Sequence, residues 1–364
     1  MSALPHYYLL ILFIFTQCLF IKKLGKCPIL VLIALELWFL SAFRGWDVGN
    51  DTWNYIGAFV HMYSPFPDVF GTGHMEQGYR LFNQFVGFFS HNPQTILIVT
   101  SAIIISSRFL SIARYSAYAG FTTVLFVIMQ FGNTLNLVRQ EIAFSIVLFA
   151  FPFVVKRQFI PYLVACWLAS QIHLTAIMAI PIYFFYTLPW QKKYIVSIVL
   201  GGILGLVLLA PLLNAFIDIT GRYEGYLGSN YALGEDVKLG SILSLFVALA
   251  VFTFEIVSYQ IHKQKFSQPV AAFSKSFPVT FLLFMGLITL CLNLIALRAA
   301  GLSRVAFYYN FFTIFSLPIF IQAYRYKTRI FVILAVVGGL IAHASVIFIF
   351  RPTWNHWLPY HFYF

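Results

Sequence analysis

"PILVLIALELWFLSAF", residues 28–43, is followed at once by "RGWDVGNDTWNYIGAF", residues 44–59. The first stretch is apolar apart from Glu36 and Ser41. The second packs an Arg, two Asp, two Asn, two Trp and a Tyr into the same length. An oily run that ends in a polar, aromatic cluster reads as a membrane helix meeting its interface.

The rest of the chain agrees. It has 364 residues, 61% hydrophobic and 9% charged, and its mean hydropathy is +0.85. A soluble domain carries about 25% charged residues, so a water-soluble fold is excluded. Strand-like alternation is weak, which argues against a β-barrel. The expected fold is an all-α polytopic integral membrane protein, one membrane domain over residues 1–364.

About twelve spans are predicted: Pro5–Ile21, Pro28–Phe43, Thr95–Ile112, Tyr118–Phe131, Leu137–Val155, Phe159–Ile172, Leu174–Leu188, Tyr194–Ile217, Ser241–Gln260, Phe277–Leu297, Ala306–Ala323 and Ile330–Phe350. Two loops remain, a large one at about 44–94 and a smaller one at about 218–240. An amphipathic helix is predicted at Gly78–Ser90.

Lys22, Lys23 and Lys26 make the first connection cytoplasmic by the positive-inside rule. Alternation then places both large loops outside. Inside fall mostly lysines, with Arg108, Arg114, Arg157, Arg325 and Arg329. Outside fall Arg44, Arg80, Arg139, Arg222, Arg298, Arg304 and Arg351, with Lys238 and most of the acids. Arg suits phosphate and carboxylate recognition better than Lys does. Binding chemistry is therefore expected on the outer face. The net charge of +12 reads as a topology signal, with no nucleic-acid partner implied.

Several outer positions carry candidate chemistry. In the opening cluster Asp51 or Asn50 can cap a helix. Trp53 and Tyr55 can sit in an aromatic belt or pack on sugar rings, Arg44 can hold phosphate, and Asp51 can take a hydroxyl proton. In "MEQGYRLFNQF", Glu76 and Arg80 are four apart, the spacing of a local helical ion pair; otherwise Glu76 is a candidate base and Arg80 a substrate contact. In "NTLNLVRQEIAF", Arg139 and Gln140 open a membrane helix, where an anion is favoured. His173, in "SQIHLTAI", lies at an outer hairpin and can accept a proton near neutral pH. "LRAAGLSRVAFYYN" places Arg298 and Arg304 about a tight turn, followed by Tyr308. No cofactor or metal is expected. The four cysteines have no CxxC spacing, and Asp47 and Asp51 are only a thin signal for a divalent ion.

The order of these motifs resembles the EpsG-like branch of the Wzy polymerases, which polymerise O-antigen or exopolysaccharide repeat units. "FRGWDVGNDTWNYIGAF", "EQGYRLFNQF", "LNLVRQEIAF", "IHLTAI", "LRAAGLSRVAFYY" and "WNHWLPYHF" carry the likeness over nearly the whole chain. The Arg-x10-Gly pattern of some polymerases is not matched, since Arg139 leads to Ala150. The resemblance implies a GT-C-like glycosyltransferase of the bacterial inner membrane with its active face in the periplasm. Its donor and acceptor would be undecaprenyl-diphosphate-linked oligosaccharides held among membrane lipids, with a chain-length regulator and a flippase as partners. The base candidates are Asp51, Glu76 and His173; the phosphate candidates are Arg44, Arg139, Arg298 and Arg304. A lipid-linked oligosaccharide flippase and an O-antigen ligase are the alternatives.

Overall fold

The computed structural model describes residues 4–63, 75–208, 211, 215, 239–267, 277–298, 300–351 and 357–364. Every regular element among them is helical, as expected of a chain that must satisfy its backbone within each segment in lipid. In chain order the helices are α1 (Leu4–Leu19), α2 (Ile21–Leu24), α3 (Lys26–Ala42), α4 (Thr52–His61), α5 (Gln77–Phe89), α6 (Gln94–Tyr115), α7 (Ala119–Met129), α8 (Phe131–Asn136), α9 (Val138–Phe149), α10 (Phe151–Val155) and α11 (Phe159–Ile172). A 3-10 helix, Leu174–Ala179, follows. Then come α12 (Ile182–Phe185), α13 (Lys192–Val207), α14 (Leu239–Ile261), α15 (Lys263–Ser267), α16 (Val279–Ile295), a 3-10 turn at Ala300–Leu302, α17 (Ser303–Asn310), α18 (Thr313–Gln322) and α19 (Tyr326–Phe350).

Each predicted span meets helix, but many are shorter or broken. Among the described residues four are long and apolar enough to cross a bilayer: Leu4–Leu24, α6, α14 and α19. The pair α17–α18, bent by 45°, makes a fifth if counted as one span. Four spans predicted as continuous are interrupted. Tyr118–Phe131 breaks at Gln130, Leu137–Val155 at Ala150 ahead of Pro152, Leu174–Leu188 around Pro181, and Ala306–Ala323 between α17 and α18. Proline removes a backbone donor and crowds the preceding turn, which accounts for the breaks at 150 and 181. The smaller loop, 218–240, and residues 64–74 of the larger one lie outside the described residues, apart from the start of α14.

The chain forms two compact units, 1–180 with 325–364, and 181–324. In the first, α3 packs on α6, α6 on α9, and α9 on α11. The large loop folds onto this bundle. Ile56 and Phe59 of α4 and Val86 of α5 bury against Ile96 and Leu97 of α6. The opposite side of α5 exposes Leu81, Phe85, Phe88 and Phe89, an apolar stripe suited to lipid. The predicted amphipathic helix is thus present as α5. The opening cluster is fastened by the closing residues of the chain. Gly45 N–H donates to His361 O at 3.0 Å and Tyr363 N–H to Phe43 O at 2.9 Å, and Trp46 stacks on Tyr363 with ring centroids 5.3 Å apart.

Arg108 departs from its expected place at the inner end of its span. It lies well within α6, 1% exposed, and forms a buried ion pair with Glu141 of α9. A charge this deep requires a partner, and Glu141, expected at the outer edge, supplies it. In the second unit α16 packs on α13, α14 and α17. Its one deeply buried carboxyl among the described residues, Glu255 of α14, accepts a hydrogen bond from Ser316 of α18.

Candidate functional site

Glu76 precedes α5 with extended backbone (φ −60, ψ 143) and does not cap its own helix. Its carboxylate therefore turns away from α5. Oε2 accepts from Arg139 Nη1 at 2.7 Å. Oε1 lies 3.3 Å from His173 Nδ1 and accepts from Leu174 N–H at 3.2 Å. Three segments far apart in sequence thus meet on one carboxylate.

Each partner is placed by a break in its element. Arg139 is in the first turn of α9, just after the chain leaves helical geometry at Leu137 (φ −94, ψ 44). His173 ends α11 in extended conformation (φ −151, ψ 116), and the 3-10 helix then aims Leu174 N–H at the same carboxylate. Gly78 lets the start of α5 approach the end of α11. A Cβ there would stand 2.6 Å from Gln171 O, so any other residue would push Glu76 away from His173.

The electrostatics favour an ionised Glu76. Burial alone would raise its pKa. The His173 hydrogen bond and the nearby Arg139 charge outweigh that and bring it down to about 2. Arg139 also lies over the face of buried Tyr79, 5.9 Å from the ring centroid. Tyr55 packs edge-on to Tyr79 and donates to Asn136 O at 3.3 Å. Glu76 and His173 are nearly closed off, whereas Arg139 is 25% exposed. Arg139 is therefore the most open member of the cluster.

The other predicted residues divide among several places. Glu76 and Arg80 do not form the local pair their spacing suggested: Glu76 faces Arg139, and Arg80 lies exposed. Arg44 is 1% exposed; it donates to Ser41 O at 2.5 Å and to Leu135 O at 3.3 Å, and burial pulls its pKa down to about 10. Asp51 stands at the N-cap position of α4 without a side-chain capping bond. Trp53 is exposed and meets Trp46 edge-on. Gln140 is buried beside Arg139 in sequence. Arg298, Arg304 and Tyr308 belong to the second unit, exposed, half-buried and buried in turn.

Two elements around the site escaped sequence reading. Asn136 receives Asn50 N–H at 2.7 Å on its side chain and Tyr55 on its carbonyl, and so ties α4 to the end of α8. Gly49, with φ +98, makes the turn that presents Asn50 to it. The Arg108–Glu141 pair lies behind Arg139; its sequence signals are an Arg within "IIISSRFLSIA" and an acid in the first turn of a membrane helix, with nothing local to pair them. Among the described residues no three His, Cys, Asp or Glu side chains gather to hold a metal ion.

No curated protein and no solved structure matches this chain. A family model does, the EpsG family, over residues 28–362. That range takes in the opening cluster, Glu76, Arg139, His173 and the closing segment that fastens the loop. The chain belongs to the EpsG family, as a multi-pass membrane protein of polysaccharide biosynthesis.

Proposed function

We propose that the protein is a GT-C-like membrane glycosyltransferase that polymerises undecaprenyl-diphosphate-linked oligosaccharide repeat units. It would work at the periplasmic face of the bacterial inner membrane. The observation that carries this reading is the contact of Glu76, Arg139 and His173. It joins a proton acceptor to a cation that an anionic ligand can reach.

The reaction assigns each group a role. Glu76, held ionised, is too weak a base to take a sugar hydroxyl's proton and serves instead to orient His173. His173 donates its Nδ1–H to the Glu76 carboxylate, and once the acceptor has entered the site its Nε2 accepts the proton of the acceptor hydroxyl. The hydroxyl oxygen bonds to the donor's anomeric carbon. The bond from that carbon to the diphosphate oxygen breaks, and its electron pair leaves with the diphosphate. Arg139 stabilises the departing charge. Arg80 and Trp53, both exposed, would meet the sugars. Direct displacement inverts the anomeric centre; trapping a covalent glycosyl-enzyme would contradict it.

Purified protein supplied with lipid-linked repeat units should produce a ladder of polymers that is lost in H173A. Absence of a ladder from active, folded wild-type protein would overturn the assignment. A flippase is the second reading, favoured by the charged pair Arg108–Glu141 within the membrane helices. Gene deletion separates them. Loss of polymer with a single repeat still attached to lipid A core indicates a polymerase. Loss of all attached sugar indicates a flippase or a ligase.

A further inference from the structure

α9 begins afresh after the break at Leu137, so its rotation about its own axis is not inherited from α8. Its first turn carries Arg139, Gln140 and Glu141. Two residues along a helix turn it by about 200°. Arg139 and Glu141 therefore leave α9 on nearly opposite sides. Arg139 reaches Glu76, and Glu141 reaches Arg108 of α6.

The contact behind α9 is built as an anchor. Both charged side chains are 1% exposed. The Arg108 guanidinium also lies over the ring of Phe144, 4.7 Å from its centroid and one turn further along α9. The hydroxyls of Ser107 and Ser145 approach to 2.9 Å on the same face. An apolar contact would let α9 rotate with little change in energy. A guanidinium matched to one carboxylate has a single favourable setting. Stability is a poor reason for such a pair, because apolar replacements of buried ion pairs are often neutral or stabilising.

We propose that the Arg108–Glu141 pair is a positioning device for Arg139. It sets the rotation of α9 that points the Arg139 guanidinium at Glu76, and it acts on turnover only through that placement. The inference rests on the reading of Glu76, Arg139 and His173 as the reacting site.

The test uses purified full-length protein and two readouts. The first is maleimide modification of R139C, followed on the peptide that carries position 139. Adding E141Q should change the modification rate by roughly tenfold or more, and adding the exchange R108E/E141R should bring it back to within about threefold. The second readout is polymer formation with Arg139 intact. E141Q and R108Q should lower kcat on the order of a hundredfold with KM little changed, and the exchanged pair should recover most of it. The apolar pair R108M/E141L serves if the single variants fold poorly. It should fold, yet still disturb both readouts. Unchanged modification and unchanged turnover in folded E141Q or R108M/E141L would overturn the proposal. A wild-type protein that forms no polymer would overturn the functional assignment instead, and the modification rates would still decide the positioning role.

Discussion

Replacing Glu76 with glutamine keeps the shape of the side chain and deletes the charge that Arg139 and His173 share. The carboxylate's pKa falls from its ordinary 4.5 to about 2. That lowering corresponds to about 3 kcal/mol at neutral pH, and the partial exposure of Arg139 screens the pair and makes this an upper value. Because the folded-state pKa is the lower one, the stabilisation is fully present above about pH 4.5. It is lost as the pH falls toward 2. At pH 3 the folded carboxylate is still mostly ionised while the unfolded one is mostly protonated, which leaves roughly half of that stabilisation. The assay is thermal unfolding of detergent-purified wild type and E76Q across that range. Wild type should be the more stable by a few degrees at pH 7. The gap should shrink by about half at pH 3 and should not vary between pH 6 and 8 through this group. Equal melting temperatures at pH 7, or a gap that persists undiminished at pH 3, would refute the electrostatic account of the cluster.

H173A should abolish polymer formation while leaving protein abundance near wild type, because the imidazole's role is proton transfer; ladder assays beside immunoblots check this. Gly78→Ala places a Cβ 2.6 Å from the Gln171 carbonyl. It should cost about 1–3 kcal/mol in unfolding experiments and lower turnover by shifting Glu76. Arg44→Ala strands the carbonyls of Ser41 and Leu135 in a closed site. A loss of about 1–3 kcal/mol is expected, read as a lower unfolding temperature with the KM of the remaining activity unchanged. A raised KM at normal stability would return Arg44 to the substrate.

Helix and loop positions were legible in the sequence because apolar runs have a period and an end. α11 and α14 fall within a few residues of their predicted bounds. Span lengths were less legible, since breaks such as Ala150 and Phe311–Phe312 keep the run apolar while the backbone departs from a single helix. The candidate site was legible residue by residue but not as a constellation. Glu76, Arg139 and His173 each stood out as polar groups beside apolar runs. Their contact depends on how α5, α9 and α11 pack, which no local pattern encodes. The local alternative, Glu76 with Arg80, failed for a definite reason. Glu76 lies one residue before the helix with extended ψ, so the i, i+4 geometry does not apply to it.

The division between Lys and Arg also changes meaning once side chains have partners. Lys26 and Lys265 each place an ammonium on one backbone carbonyl at a helix end, Ala113 O and Ala323 O, both at 2.6 Å. Three arginines each satisfy several groups at once. Arg44 serves two carbonyls, Arg108 a carboxylate and a ring face, and Arg139 a carboxylate and a ring face. The fork of the guanidinium explains that preference without reference to which side of the membrane it faces. An Arg-rich face is thus weaker evidence of ligand binding than it first appeared. Access separates the three: Arg44 and Arg108 are 1% exposed and Arg139 is 25%. A diphosphate can displace part of the Arg139–Glu76 contact from its open side, whereas at Arg44 it would have to replace buried backbone bonds. Of Arg44, Arg108 and Arg139, Arg139 is therefore the one built to exchange a protein carboxylate for a ligand anion.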